Sequence, residues 1–222
     1  LNIKSDGIYV DCTLGGAGHA SRIASLLGKN GTLLGIDQDE TAVAAAKEKL
    51  ACCICHTIVV HDNFKNLTAI LARENITGVD GFLFDLGVSS PQIDDAERGF
   101  SYMHDAPLDM RMNRSIAFTA EELINTYSET QLKQVLSRYG EIEKAGRMAK
   151  ALLLRRKENP ITTTGELAEV VLRFAERGKE NQLLARVFQA LRMEVNDETE
   201  ALKEMLMQSA DVIKQGGRLV II

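Results

Sequence analysis

No stretch of this chain approaches the roughly 18 apolar residues of a membrane-spanning helix, and nothing in it reads as a bilayer anchor. The opening residues, Leu1-Asn2-Ile3-Lys4-Ser5-Asp6, have neither the basic start nor the apolar stretch of a secretory signal. Cysteine is sparse: Cys52, Cys53 and Cys55 cluster, Cys12 stands apart, and no extracellular disulfide framework is visible. A reducing cytoplasm is the expected home. Cys52-Cys53-Ile54-Cys55-His56 formally fits a C-x-x-C-H haem attachment, but nothing else points to export. Zinc on Cys52, Cys55, His56 and His61 lacks a second C-x-x-C, so no metal is expected. Basic charge is not in excess either. The net charge of −5 leaves the whole-chain average without a nucleic-acid footprint. There is no internal repeat and no low-complexity segment. An initiator Met is missing and the chain stops within the apolar run Val220-Ile221-Ile222, so both ends are expected to be trimmed.

What is present is globular. The 222 residues suit one ordinary domain, or one domain with a sizeable insertion, and 45% hydrophobic with 26% charged residues argues against disorder. The first third alternates strands and helices. Strands are expected at 7–11, 31–37, 57–60 and 81–85, with helices at about 19–27, 41–50 and 65–74 between them. That rhythm predicts βαβ units and a mostly parallel sheet. From Pro107 to Arg186 no strand is expected. Thr119-x-x-Glu122, Ser128-x-x-Gln131 and Thr163-x-x-Glu166 are three capping-box signatures there. A helix at 187–195, another through 202–213 and a strand at 218–222 then resume the α/β pattern. The expected organisation is a core of 1–106 and 187–222 interrupted by a helical insert of 107–186. The insert holds 14 Lys+Arg against 11 Asp+Glu, a net of +3, so the remainder carries −8. A mildly basic insert on an acidic body is compatible with a polyanionic partner.

Three constellations carry chemistry. The first is a strand ending in Asp11, the turn Leu14-Gly15-Gly16-Ala17-Gly18-His19 and a helix. Glycines let backbone approach a ligand, and the helix start offers N–H groups. Asp37 ends the next strand, where an acid suits a ribose hydroxyl pair. The third glycine of a dinucleotide fingerprint is missing, since Ser21 stands there. A nucleotide-like cofactor is the reading, S-adenosylmethionine ahead of NAD. The second is Asp85-Leu86-Gly87-Val88-Ser89-Ser90-Pro91-Gln92 after the fourth strand. In an open parallel sheet ligands bind beyond the carboxyl ends of the strands. This loop offers a carboxylate, hydroxyls and Pro-shaped carbonyls as acceptors for an exocyclic amine. The bland alternative is a Ser-capped strand exit. The third is Glu97-Arg98-Gly99-Phe100-Ser101 followed by Pro107-Leu108-Asp109-Met110-Arg111-Met112. Its arginines and aromatic suit phosphate and base, or equally an Asp–Arg pair that fixes a loop. Phe64, after the third strand, flanks an adenine or fills the core. Phe188-Gln189-Ala190-Leu191-Arg192 reads as a core helix with polar edges.

Taken in order, Asp11-x-Thr13-x-Gly15-x-x-Gly18-His19, Asp85 to Gln92, Glu97 to Ser101, Pro107 to Met112 and Phe188 to Arg192 resemble one family over nearly the whole chain. It is the bacterial ribosomal RNA small subunit methyltransferase H family, also called MraW. The resemblance implies an S-adenosylmethionine-dependent class I (Rossmann-like) fold with an inserted all-helical subdomain. It implies methylation of the N4 amine of a cytidine in the decoding centre of 16S rRNA. Cofactor contacts would be Gly15, Ala17, Gly18, His19, Asp37, Phe64, Asp85 and Gln92. Asp85, Ser89, Ser90 and Pro91 are the candidates for holding the amine. Arg98, Arg111, Lys144, Arg147, Arg155, Arg156 and Arg192 are the candidates for RNA. The expected partner is 16S rRNA within the small ribosomal subunit, with no membrane, and a homodimer is one assembly to consider. Where many members carry a basic tract and His-Pro-Ala, Lys179 to Ala185 stands here, so that stretch is assigned no RNA contact. The competing readings are a methyltransferase of another amine, an NAD-dependent oxidoreductase, and an assembly factor that binds the cofactor without turnover.

Overall fold

In the computed structural model, which describes residues 1–222, strand β1 (Ile8–Asp11) sends Tyr9 and Val10 to opposite faces, and both are sealed from solvent. β2 (Thr32–Asp37), β3 (His56–His61), β4 (Val79–Phe84) and β5 (Ile213–Ile221) join it in a sheet of order β3-β2-β1-β4-β5. Every neighbouring pair is parallel. One face packs Val10, Leu34, Ile36, Phe82 and Phe84 onto α3 (Leu67–Arg73) and α10 (Glu198–Val212) through Leu67, Ile70 and Met205. The other packs Tyr9, Leu33 and Leu83 onto α1 (Gly18–Ala24) and α2 (Glu40–Leu50) through Ile23, Ala46 and Leu50. Cover on both faces is why these strands read as unbroken apolar runs. The Asp80 carboxylate near the start of β4 accepts from the Ile8 amide at 3.0 Å and from Lys214 at 2.7 Å. Burial pushes that carboxyl up, but the bonds from Lys214, Ile8 and Lys4 more than offset it and hold it below its usual value.

The chain divides into two compact units, Leu1–Ser89 with Thr199–Ile222, and Ser90–Glu198. The second is helical: α4 (Ser90–Asp94), α5 (Ala120–Thr126), α6 (Glu129–Arg138), α7 (Ala145–Glu158), α8 (Thr164–Leu172) and α9 (Glu180–Val195). Its only β-type pairing is an isolated bridge between Pro107 and Thr163. The Ser128–Gln131 and Thr163–Glu166 boxes close in both directions, whereas Thr119 only accepts from the Glu122 amide, at 3.1 Å. The unit is wider than the expected 107–186 insert at both ends. The reason at the far end is α9, which starts at Glu180 instead of 187. Leu184, Val187, Phe188, Leu191 and Val195 keep one buried helical phase, and nothing after Gly178 breaks it. The boundary at 186 therefore cut through a helix.

A knot of polar groups organises the long loop of this unit. Gly99 has φ +69°, and a Cβ there would collide with the Pro107 carbonyl, so only glycine fits. The Met110 amide donates to the Arg98 carbonyl at 2.9 Å. Asn196, past the end of α9, accepts from the Met112 amide at 2.7 Å and donates to the Met110 carbonyl at 2.8 Å.

Candidate functional site

The order β3-β2-β1-β4-β5 places a topological switch point between β1 and β4, because the chain leaves β1 on one side and returns on the other. Crevices at such points, beyond the carboxyl ends of the strands, are where open α/β sheets bind ligands. The residues there are Asp11 from β1, Asp37 from β2 and Asp85 just past β4.

The glycine turn is held open by its neighbours. Its backbone enters left-handed conformations at Gly15 (φ 47°) and at Ala17 (φ 54°), the latter fully buried. Asp37 accepts from the Gly15 amide at 2.7 Å and from the Asp39 amide at 2.9 Å, so one carboxylate fixes the turn and the β2 exit together. Each carboxylate oxygen has a second lone pair, which leaves Asp37 able to accept from a ligand hydroxyl. A Cβ on Gly16 or Gly18 would meet no atom within 4 Å, so the outer side of the turn faces open space. Gly35 in β2 lies so close to the Leu14 side chain that a Cβ there would stand 2.6 Å from it. The turn packs on the sheet only because that position is glycine.

Asp11 is the residue that the structure singles out most. It is 1% exposed. One oxygen accepts from the Thr13 amide at 3.2 Å, and the other is buried with no hydrogen-bond partner. Burial, opposed by the Thr13 bond and reinforced by the charges of Asp37 and Asp85, raises its carboxyl from 3.8 to about 7. The sequence reading placed Asp11 in the motif but gave it no role. An acid closing a buried apolar strand was the available signal.

Asp85 joins the two loops. Its amide donates to the Thr13 hydroxyl at 2.6 Å, and its carboxylate lies 3.4 Å from His19 Nε2. The Ser89 side chain approaches Gly15, 3.8 Å from where a Cβ would stand. Gly15, Ala17, Gly18, His19, Asp37, Asp85 and Ser89 are thus gathered in the α/β unit. Phe64 sits past β3, half-buried, its ring edge-on to Phe84 at 6.0 Å, so it is at least partly a core residue. Ser90, Pro91 and buried Gln92 belong to α4 in the helical unit. The Pro91 carbonyl accepts from the Asp95 amide at 3.1 Å, so one of its two lone pairs is engaged at the end of α4. No three His, Cys, Asp or Glu side chains are grouped to hold a metal ion.

The cations expected to hold RNA divide sharply. Arg98 is 4% exposed and donates to the Arg111 and Met112 carbonyls at 3.0 Å each. Arg111 forks onto Asp109 at 2.9 and 2.7 Å, which is the loop-fixing alternative. Arg155 pairs with Glu166 at 3.1 Å, Arg156 donates to the Ile124 carbonyl, and Arg192 forks onto Glu198 at 2.7 and 3.0 Å. Arg98 is buried and the other four are partly buried, because carboxylates and backbone carbonyls of the same unit lie within reach. Lys144 and Arg147 are exposed.

Together the sheet order, the turn and the three carboxylates define a Rossmann-like α/β protein for a nucleoside-bearing cofactor. The chain belongs to the MraW methylase family, whose model matches residues 1–222. S-adenosylmethionine is accordingly its cofactor, and the residues fit it. A buried carboxylate oxygen without a partner, on an acid that Asp37 and Asp85 both repel, suits a ligand with cationic groups, and the turn leaves room above Gly16 and Gly18. The protein named ribosomal RNA small subunit methyltransferase H from Clostridium botulinum is 48% identical over 224 residues, covering 100% of this chain and 72% of that protein. The namesake from Cytophaga hutchinsonii is 50% identical over 222 residues, covering 100% and 73%. A solved rRNA methylase from Streptococcus thermophilus is 19% identical over 47% of this chain and 61% of its own, with a TM-score of 0.33.

Proposed function

We propose that the chain methylates small-subunit ribosomal RNA in the cytoplasm, on the N4 amine of a cytidine in the 16S decoding centre. The observation that carries this is similarity over the whole of this chain, at 48–50% identity, to proteins named for small-subunit rRNA methylation, joined to an intact carboxylate loop at the switch point. S-adenosylmethionine, when bound, supplies an electrophilic methyl group. The chain's own task is to place and orient the amine within about 3–3.5 Å of that carbon. The N4 lone pair of cytosine is delocalised into the ring. Asp85 and Ser89, accepting from the amine hydrogens, would draw the nitrogen toward tetrahedral geometry and sharpen its lone pair. No strong base is needed, since the cationic product amine loses its proton readily. The target base has to leave its stack to reach the loop. The helical unit is the proposed RNA-recognition part, with Lys144 and Arg147 as its exposed cations.

The test offers methyl-labelled cofactor with small subunits lacking the modification, with naked 16S rRNA, and with ribosomal proteins. The expected product, by nucleoside mass spectrometry, is N4-methylcytidine at a single site. Label on protein, or on another nucleoside, would overturn the reading.

A further inference from the structure

The helical unit contains a cavity of about 250 Å³ that the site described above does not use. It lies where α7 begins, α8 ends and α9 begins. Its apolar wall is made by Met148, Phe174 and Leu183. Met148 is fully buried, whereas Phe174 and Leu183 are half-buried and present surface to the opening. Lys144, Lys179 and Arg186 stand at its rim, together with Glu143 and Glu176. Gln182, Leu183 and Arg186 share one face of α9, and Lys179 caps its start, so cation, amide, apolar side chain and cation follow one another along that edge. Lys179 pairs with Glu176 at 2.7 Å and Arg186 with Glu141 at 3.1 Å. Both pairs are substantially solvent-exposed, and exposed pairs are held weakly enough to exchange for a stronger anion. Lys144 is exposed at the head of α7.

We infer that this cavity receives one unpaired nucleotide of the RNA, its base laid on Phe174 and Leu183 and its phosphate held by Lys144, Lys179 and Arg186. This rests on the reading of RNA as the substrate and adds where a second nucleotide, apart from the target cytidine, is gripped. The chemistry favours a nucleotide. Single-stranded RNA is held by an aromatic face for the base and cations for the backbone. The Gln182 amide, donor and acceptor at once, matches a base edge. The stretch from Lys179 to Ala185, left without an RNA contact by the sequence, thereby acquires one.

The test measures methyl transfer as a function of the concentration of unmodified small subunits, for the wild type, Phe174→Ala and Lys179→Glu. Lys203→Glu, in the other unit, serves as a charge control. Each cavity variant is expected to raise the KM for subunits about tenfold, the scale of one lost base stack, with kcat and cofactor affinity kept and Lys203→Glu within about twofold of wild type. Ultraviolet cross-linking of the wild-type complex should join rRNA to the peptide that carries Phe174. Thermal melting separates misfolding from lost contact, and Lys179→Glu, on the surface, keeps the test decisive if Phe174→Ala unfolds. An unchanged KM in both folded variants overturns the inference. So does loss of binding to ribosomal proteins with naked 16S binding intact, which would give the cavity to an acidic polypeptide. A wild type that methylates no RNA at all defeats the substrate reading itself, and is recognised before any variant is compared.

Discussion

The two units of the chain treat their charged motif residues in opposite ways. In the α/β unit the acids at the strand ends keep capacity in reserve: Asp11 has an oxygen with no partner and Asp85 is half-exposed. In the helical unit the arginines of the motifs are turned inward onto carbonyls and carboxylates. A motif therefore marks a residue as needed without saying whether it binds a ligand or holds the chain. What separates the two is the direction in which the charged groups turn, a property of the fold and not of the sequence.

The largest expected effect breaks this contrast on the helical side. Arg98→Ala leaves two carbonyls of the 111–112 loop without a donor in a buried place. It should cost about 3 kcal/mol of stability, read from the denaturant midpoint. A variant of wild-type stability that fails only with RNA would place Arg98 among the binding residues instead. Next in size is Asp11→Asn, which should weaken cofactor binding about tenfold or more, the scale of one charge-assisted contact. The pH dependence has a definite sign. Asp11 is raised in the fold from 3.8 to about 7, so across that window the folded state binds more protons than the unfolded one. Stability is then fullest below the lower value and falls as pH rises through about 7. A cationic cofactor favours the ionised form, so its affinity should climb over the same interval and binding should release a proton. Calorimetry in buffers of different ionisation enthalpy reads that proton, and Asp11→Asn should abolish it. An unaltered proton count in the variant would assign the titration elsewhere. The smallest effect sharpens the contrast: Arg147→Ala should shift stability by no more than about 0.5 kcal/mol, yet reduce the salt slope of RNA binding by about one.

Much of the α/β unit was legible in advance. Tyr9-Val10, Leu33-Leu34 and Phe82-Leu83-Phe84 are covered on both faces, and a strand so covered advertises itself as an apolar run. The glycine turn and the acids at the strand ends were legible as well, and the fold brings Gly15 and Asp37 into one hydrogen-bonded turn. Boundaries were less legible. α9 begins seven residues before the expected 187, since its opening turns are polar outside and show their phase only once Leu184 is seen buried. The RNA candidates were the least legible. Asp109 and Arg111, two residues apart in a loop, allow a ligand or a brace equally, and only the bidentate geometry decides. The cavity beside Phe174 draws on two stretches separated in sequence, 142–148 and 174–186, and no local pattern announces it.

The left-handed Ala17 carries a further consequence, one of entropy. An alanine at φ 54° bears roughly 1 kcal/mol of strain that a glycine would escape. Glycine would in exchange widen the range of backbone states open to the turn. Stability would then change little in either direction, while the turn would lose its prior ordering. A ligand arriving at a loosened turn must restrict that freedom itself, and its affinity falls by the amount of disorder it removes. The methyl group of residue 17 acts in this sense before any ligand is present, by narrowing what the loop is able to be.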